Sequence, residues 1–293
     1  MESGQTVGKY QVGARVGQGG MSVVFRGRDT VLGRDVAIKV LHQHLAESHE
    51  AKARFDREAK AVARLRHANI LEIYDYSGND VVDHYIISEF IEGKTLKHII
   101  EQRPIALPEI GAAIVWQLAV AVGHAHEMGV LHRDLKPENV MVRQDGVIKL
   151  TDFGIAHVLE LGKLTVTGQL LGSPAYMAPE HVEGRALSAQ TDIFSLGTIL
   201  YQLCVGELPF CGTNAHEILL KIADGRFVDP VVANPAIGNE LGHIIRTALA
   251  VDPAARYVSA CAMADALERY ITASGLPEVR HTCAAYFANP SEF

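Results

Sequence analysis

The chain has 293 residues, 48% of them hydrophobic and 21% charged, which is an ordinary globular composition with enough length for two lobes that each bury a core. Its formal net charge of -7 argues against non-specific binding to nucleic acid, which needs a basic surface. The four cysteines show no paired metal-binding spacing and the N-terminus has no signal pattern, so a reducing, cytoplasmic location is the simplest interpretation.

The first predicted elements are two strands joined by a glycine-rich turn. The run from Val16 to Val24 reads Val-Gly-Gln-Gly-Gly-Met-Ser-Val-Val and lies between apolar, β-branched runs. Alone, this pattern is typical of an ordinary hairpin. Glycine would also let backbone amides approach phosphates closely. The next strand, Val36 to Val40, contains Lys39, whose ammonium is costly in an apolar strand without a partner.

A helix is predicted over residues 47–67, because apolar side chains recur with helical spacing at Phe55, Ala59, Val62 and Leu65. Glu58 lies beside this stripe and can face inward with it. The alternative is a solvated glutamate that pairs with Arg54 and Arg57.

Helical patterns dominate from residue 92 to about residue 272, whereas residues 10–91 are rich in strands. The sequence therefore predicts an α+β fold with two lobes. The apolar run at 112–122 is interrupted by Gln117 and is shorter than the roughly 18–20 residues that span a bilayer, so we expect a buried helix. The His-x-His pairs at 42–44 and 124–126 lack a third ligand, which favours core or surface histidines over a metal site.

Three polar motifs then follow in order. They read His-Arg-Asp-Leu-Lys-Pro-Glu-Asn at 132–139, Asp-Phe-Gly at 152–154 and Ala-Pro-Glu at 178–180. Residues 140–150 between the first two predict a short hairpin that would set Asn139 and Asp152 on neighbouring elements. An isolated loop aspartate is most often a turn residue, but that alternative leaves the lysine and asparagine of the first motif unexplained.

Together with the glycine-rich turn and the strand lysine, this ordered set resembles the catalytic domain of a eukaryotic-type (Hanks-type) protein serine/threonine kinase. The amino-acid sequences of the glycine turn and of residues 85–96 are similar to those of bacterial members of this family. The resemblance implies a bilobal fold over residues 10–272, with an N-lobe at 10–91, a hinge at 89–93 and a C-lobe at 94–272. Residues 1–9 would be an extension, and residues 273–293 a tail of unknown role.

The resemblance also implies ATP as cosubstrate and Mg²⁺ as metal, with Mn²⁺ as an alternative. Asp134 would accept or orient the substrate hydroxyl, and Lys136 would neutralise charge on the γ-phosphate. Asn139 and Asp152 would supply hard oxygen ligands to the metal.

Further ATP contacts are implied in the N-lobe, the hinge and the floor of the cleft. Lys39 and Glu58 would form an ion pair that orients the α- and β-phosphates. The phosphate loop, the backbone of the hinge and the walls around the adenine would come from Val16, Gly17, Gly19, Gly20, Ser22, Val24, Ala37, Glu89, Ile91 and Met141. Ser22 replaces the usual third glycine, which we expect to alter loop stiffness without loss of binding. Ser88 aligns with the residue that controls access behind the adenine, so it implies an open back pocket; a strand serine of no consequence is the alternative.

The resemblance assigns regulatory and structural roles as well. Arg133 would bind a phosphate on Thr165 or Thr167 in the activation loop. His157 stands where many related kinases have lysine or arginine, and it would join that contact only when protonated; a solvent-facing histidine is the alternative. The structural residues are Glu180 paired with Arg256, and Asp192 bracing the catalytic loop.

These features predict a protein serine/threonine kinase that is activated by autophosphorylation, with self-association allowing transfer in trans. Lys136 and Ser173, the latter in a position where these kinases usually have threonine, favour serine or threonine over tyrosine as acceptor. The partners would be ATP and proteins, without nucleic acid or a membrane segment, in a soluble chain or a domain excised from a longer one. The alternatives are a pseudokinase scaffold, against which the intact motifs argue, and a small-molecule phosphotransferase, which would lack the Ala-Pro-Glu segment.

Overall fold

The computed structural model describes residues 1, 3–19, 22–42, 59–78, 84–105, 107–153, 174–276 and 278–289. The N-terminal part is an antiparallel six-stranded sheet with strand order β1-β2-β3-β4-β6-β5. Its strands are β1 (Thr6–Val7), β2 (Tyr10–Gln18), β3 (Ser22–Asp29), β4 (Asp35–Leu41), β5 (Ile73–Tyr76) and β6 (Tyr85–Glu89). The predicted extension at 1–9 therefore contributes the edge strand β1.

Strand β4 shows why the sheet has one core face and one cleft face. Alternate residues point to opposite faces of a strand, and Val36, Ile38 and Val40 are buried in the core of the small lobe. Ala37 and Lys39 consequently face the other way. The register places Lys39 opposite Val24 and Ala37 opposite Ser88. Residues predicted to surround ATP thus meet on the face turned away from the core.

The predicted helix at 47–67 is described only in its last part, at residues 59–62, where the helical hydrogen bonds end. The expected end at residue 67 is wrong. The amide of Leu65 bonds the carbonyl of Val62 at 2.9 Å, a tighter turn than an α-helix makes. This turn carries Leu65 and Ile70 into the core of the large lobe, where both are at most 2% exposed.

The C-terminal part is mostly helical. Its helices are α1 (Leu96–Gln102), α2 (Pro108–Glu127), α3 (Pro179–Val182), α4 (Ala189–Val205), α5 (Ala215–Asp224), α6 (Pro230–Ala233), α7 (Gly238–Ala248), α8 (Ala260–Ala273) and α9 (Val279–Ala288). Helix α2 contains the apolar run predicted as a buried helix, and it lies at the centre, in contact with α4, α8 and α9. Among the described residues, no helix combines the length and the apolar character needed to cross a bilayer.

A three-stranded antiparallel sheet with order β7-β8-β9 lies beside these helices. Its strands are β7 (Gly93–Thr95), β8 (Val140–Arg143) and β9 (Ile148–Leu150). The hairpin predicted over residues 140–150 is confirmed as β8 and β9, with Gly146 in the left-handed region at φ 76° in their turn. The tail that had no assigned structure contains α9, whose inner side chains join the core of the large lobe.

Candidate active site

The loop before β8 gathers polar groups around one carboxylate. The ammonium of Lys136 lies 2.9 Å from Oδ1 and 2.8 Å from Oδ2 of Asp134. The side-chain amide of Asn139 donates to Oδ2 at 3.0 Å and to the backbone carbonyl of Asp134 at 2.8 Å. The three residues predicted as catalytic are therefore in mutual contact, with the Asp134 carboxylate held in one orientation and still partly accessible, its side chain 23% exposed.

Asp192, near the start of α4, holds the backbone of this loop in place. The Asp192 carboxylate, 1% exposed, accepts from the amides of His132 and Arg133, each at 2.8 Å. Arg133 has φ 65°, a conformation rare outside glycine, and these bonds hold it there. The predicted bracing contact of Asp192 is present. His126 adds a contact that the sequence did not reveal, with Nε2 2.7 Å from the same carboxylate, because nothing in its spacing distinguishes it from an ordinary core histidine.

The two predicted metal ligands are tied together through Thr151. Its amide and its hydroxyl both donate to the carbonyl of Asn139, at 2.9 Å and 3.1 Å, immediately before Asp152. Asp152 itself has φ 57°, in the left-handed region. Because the Asn139 amide nitrogen is directed at Asp134, its oxygen is left for a cation. An amide oxygen and a carboxylate are the hard donors that Mg²⁺ prefers, so the residues fit this metal.

An ion pair joins β4 to the segment that follows β9. Lys39 on β4 contacts Oδ1 of Asp152, and their side chains are 22% and 39% exposed. Partial burial disfavours the charged carboxylate of Asp152, but the Lys39 ammonium outweighs it and holds the pKa of Asp152 below its usual value. The predicted partner of Lys39, Glu58, lies outside the described residues. In the part of the chain that the structure describes, the lysine predicted to hold the phosphates thus contacts the carboxylate predicted to bind the metal.

His132 links the loop to the segment around Asp152. Its Nε2 lies 2.9 Å from the carbonyl of Thr151, and its ring lies against Phe153 with centroids 4.7 Å apart. The side chain is fully buried, and this burial lowers the pKa of His132 despite the opposing charge of Asp192. His132 therefore bridges the loop that carries Asp134 and the segment from Thr151 to Phe153.

Strands β2 and β3 flank the glycine-rich segment, of which Gly19 and Ser22 are described. Gly19 donates its amide to the carbonyl of Ser22 at 2.8 Å, and His42 Nε2 lies 3.1 Å from the carbonyl of Gly19. Val16 on β2 is 52% exposed. Gly17 lies opposite Val24 in the sheet, so the predicted phosphate loop and adenine wall adjoin.

The hinge leaves β6 at Glu89 and enters β7 at Gly93. The Glu89 amide is bonded to the carbonyl of Glu72 at 2.9 Å, and its carboxylate lies 2.6 Å from the ammonium of Lys149 on β9. Ser88 is 4% exposed and donates its hydroxyl to the carbonyl of Glu89 at 3.2 Å. Lys149 was not singled out from the sequence, because a lysine in a short hairpin usually faces solvent.

The last predicted contact joins Glu180 in α3 to Arg256. Arg256 binds Glu180 through two parallel bonds of 2.8 Å, and both side chains are at most 2% exposed. Burial would raise the pKa of Glu180, but Arg256 outweighs it and lowers that pKa. Several residues with predicted roles lie outside the described part of the chain, namely Gly20, Glu58, His157, Thr165, Thr167 and Ser173.

The Protein kinase domain family matches residues 10–267. The chain belongs to the protein kinase family. A relative named serine/threonine-protein kinase PrkC, from Bacillus subtilis (strain 168), is 38% identical over 275 residues, which cover 94% of this chain and 42% of that protein. Serine/threonine-protein kinase PknL of Mycobacterium tuberculosis is 34% identical over 280 residues, or 96% of this chain and 70% of that protein.

Solved structures agree with this assignment. The crystal structure of the Mycobacterium tuberculosis PknI kinase domain matches with a TM-score of 0.72 and 28% identity, covering 92% of this chain and 98% of that one. The protein kinase fold, with a strand-rich N-lobe and a helical C-lobe, is therefore established for this chain. The chain spans less than half the length of PrkC.

Proposed function

We propose that this kinase domain transfers the γ-phosphate of ATP to serine or threonine hydroxyls of proteins. The observation that carries the proposal is the set of contacts around Asp134, in which Lys136 and Asn139 hold the carboxylate while Lys39 meets Asp152 across the cleft. Phosphoryl transfer needs groups that orient the acceptor, bind the metal and stabilise the negative charge of the phosphates, and these side chains supply such groups together. The names of PrkC and PknL support serine or threonine as acceptor.

Asp134 would orient the acceptor hydroxyl and take its proton, because its carboxylate is fixed by two donors yet accessible. Lys136, beside it, would neutralise charge on the phosphoryl group as it moves. Asn139 and Asp152 would hold Mg²⁺, which supplies positive charge to the phosphates when bound. Lys39 would exchange part of its contact with Asp152 for phosphate oxygens.

Regulation would act through Arg133, whose backbone Asp192 fixes. A phosphate on Thr165 or Thr167 would add about -1.5 to -2 charge able to bind this guanidinium. His157 would join that contact only when protonated. Self-association would allow one copy to phosphorylate another. We place the protein in the cytoplasm, where ATP is available, and its four cysteines, all free thiols, suit a reducing compartment.

The test incubates the pure protein with labelled ATP and Mg²⁺ and maps the phosphorylated residues. We expect Asp134→Asn and Lys39→Met to abolish transfer while circular dichroism shows intact folding. Asp224→Asn, which removes an exposed carboxylate from the end of α5, is the matched control and should transfer normally. Near-normal autophosphorylation by Asp134→Asn would refute the assignment of the catalytic loop.

The regulatory part has its own test. The double variant Thr165→Ala, Thr167→Ala should lose most activity, and wild-type activity in that variant would exclude activation through these threonines. With phosphorylated enzyme, His157→Lys should gain relative activity as pH rises from mildly acidic to mildly alkaline, since the phosphate would raise the pKa of His157 and the imidazole would lose its charge as pH passes that raised value, whereas lysine stays charged. A constant ratio across pH would exclude a protonated His157 as phosphate ligand.

A further inference from the structure

Helix α9 lies beyond the residues that match the family, yet it is built into the large lobe. Its inner side chains are almost fully buried, with Thr282 at 2%, Cys283 at 0% and Tyr286 at 3% exposure. Cys283 and Tyr286 belong to the main hydrophobic core together with residues of α2. An amphipathic face buried to this degree indicates a docked element of the domain and not a freely moving tail.

The turn between β8 and β9 abuts this helix backbone to backbone. A Cβ added at Gly146 would lie 2.2 Å from the amide nitrogen of Ala284 and 2.4 Å from its Cα. Gly146 also has φ 76°. Glycine is thus required twice at this position, once for the conformation of the turn and once for the close approach of α9.

A buried polar side chain connects α9 to the same hairpin. Gln117 in the middle of α2 is 0% exposed, and its Nε2 donates to Sγ of Cys283 at 3.6 Å. Its Oε1 accepts from Nδ2 of Asn69 at 3.0 Å and from the amide of Ile148 on β9 at 3.4 Å. A glutamine with no access to water must find protein partners, and here those partners lie on three separate segments.

These contacts lie along the edge of β9 that faces away from β8, where Ile70 forms an isolated parallel β-bridge with Leu150. Asn69 donates to the carbonyl of Ile148 at 2.8 Å, and its own carbonyl accepts from the amide of Leu150 at 2.8 Å. Leu150 in turn accepts from the amide of Leu71 at 2.9 Å. The position of β9 is therefore set on one side by β8 and on the other by Asn69 and Gln117. Asp152 follows this strand by two residues.

We propose that α9 is a positioning element for ATP·Mg²⁺ binding, acting through Gln117 and the edge of β9 on Asp152. This inference rests on the proposed function. With α9 docked, water is excluded from Gln117, and its amide oxygen is committed to Asn69 and Ile148. With α9 displaced, water competes for the Gln117 amide and the turn at Gly146 loses its support. Asp152 then samples more positions, and the metal site is less preorganised.

The test displaces α9 in the full chain in two independent ways. Gly146→Ala adds a Cβ that clashes with the backbone of Ala284. Cys283→Asp places a carboxylate at a position that is fully buried. Gly206→Ala is the matched control, because Gly206 also has a positive φ of 89° but no atom within 4 Å of the added Cβ. It reproduces the backbone strain without touching α9.

In both displacing variants, amide hydrogen exchange should become faster in residues 279–288 and in residues 148–152. In Gly206→Ala, exchange in both segments should stay as in the wild type. The KM for ATP at limiting Mg²⁺ should rise about threefold to tenfold, as expected for coupling through a contiguous network. Saturating Mg²⁺ should recover part of this loss. A purely structural role of α9 would lower the amount of active enzyme and leave KM unchanged.

Gln117→Leu supplies the second arm. It should raise the KM for ATP similarly, and adding Gly146→Ala to it should give little further increase, because both changes act through one contact chain. Unchanged exchange in 148–152 after α9 is displaced, or α9 still protected in both displacing variants, would overturn the proposal. Failure of the kinase assignment is distinguishable, since it would appear as undiminished transfer by Asp134→Asn.

Discussion

Replacing Arg256 by methionine should lower the free energy of unfolding by about 3–5 kcal/mol, because the change strands a buried carboxylate. Arg256 donates to both oxygens of Glu180 and to the carbonyls of Ala250, Gln190 and Val251, at 2.7–3.0 Å. Methionine fills much of the volume but offers none of these donors. In the variant, the hydroxyl of Thr191, which lies 2.8 Å from Oε1, is the side-chain donor left to the Glu180 carboxylate.

Urea unfolding monitored by the fluorescence of Trp116, the single tryptophan of the chain, measures this loss. Adding Glu180→Gln to Arg256→Met should restore part of the stability, since no buried charge then remains. Arg226→Met removes an arginine from an exposed pair with Asp224 and should change the midpoint little.

The pH dependence has a defined sign. In the wild type, the lowered pKa of Glu180 contributes stability that is present above its unfolded value and is lost as pH falls through the folded one. In Arg256→Met, burial without the guanidinium raises that pKa, so protonation relieves the stranded charge. The difference in stability between wild type and variant should therefore shrink as pH falls from 7 toward 5. A difference that stays constant, or a loss no larger than that of Arg226→Met, would refute the reasoning.

Three further predictions concern the site. Asp192→Asn turns one acceptor into a donor facing the amides of His132 and Arg133. It should therefore lower the free energy of unfolding in urea by about 1.5–3 kcal/mol and lower kcat. Asp224→Asn should change neither quantity. The lowered pKa of His132 means that the unfolded chain takes up its proton first, so stability should fall as pH drops below about 6.5, more steeply than in His132→Asn. ATP-competitive compounds with a bulky group directed behind the adenine should inhibit the wild type much better than Ser88→Met, because serine would fill less of the predicted back pocket than methionine.

Each of these has a clear negative result. Equal unfolding midpoints for Asp192→Asn and wild type would mean that the catalytic loop does not depend on that carboxylate. If the stability of His132→Asn and of wild type depended on pH in the same way, His132 would not be the group that takes up a proton on unfolding. Equal inhibition constants for Ser88→Met and wild type would show that no back pocket opens at this position.

Local chemistry made much of the catalytic loop predictable. Asp134, Lys136 and Asn139 lie within six residues, so their contacts depend on one short segment, and the resemblance to protein kinases implied their roles. The apolar residues around Lys39 likewise identified it as a charge that needs a partner. The β8–β9 hairpin followed from two apolar runs around a glycine turn.

Helix ends and partners distant in sequence were less accessible. The helix expected to reach residue 67 ends at residue 62, because the chain must turn there to bury Leu65 and Ile70. No helical period encodes that requirement, which comes from the large lobe on which those side chains pack.

The sequence by itself determined which chemical groups this protein carries and which strands and loops hold them, because these properties depend on residue type and short spacing. Only the tertiary structure decided which groups meet. Lys39 contacts Asp152 across 113 positions, His126 reaches Asp192 across 66, and Gln117 joins Cys283 across 166. Such pairs depend on how buried surfaces pack in three dimensions, and no local pattern specifies them.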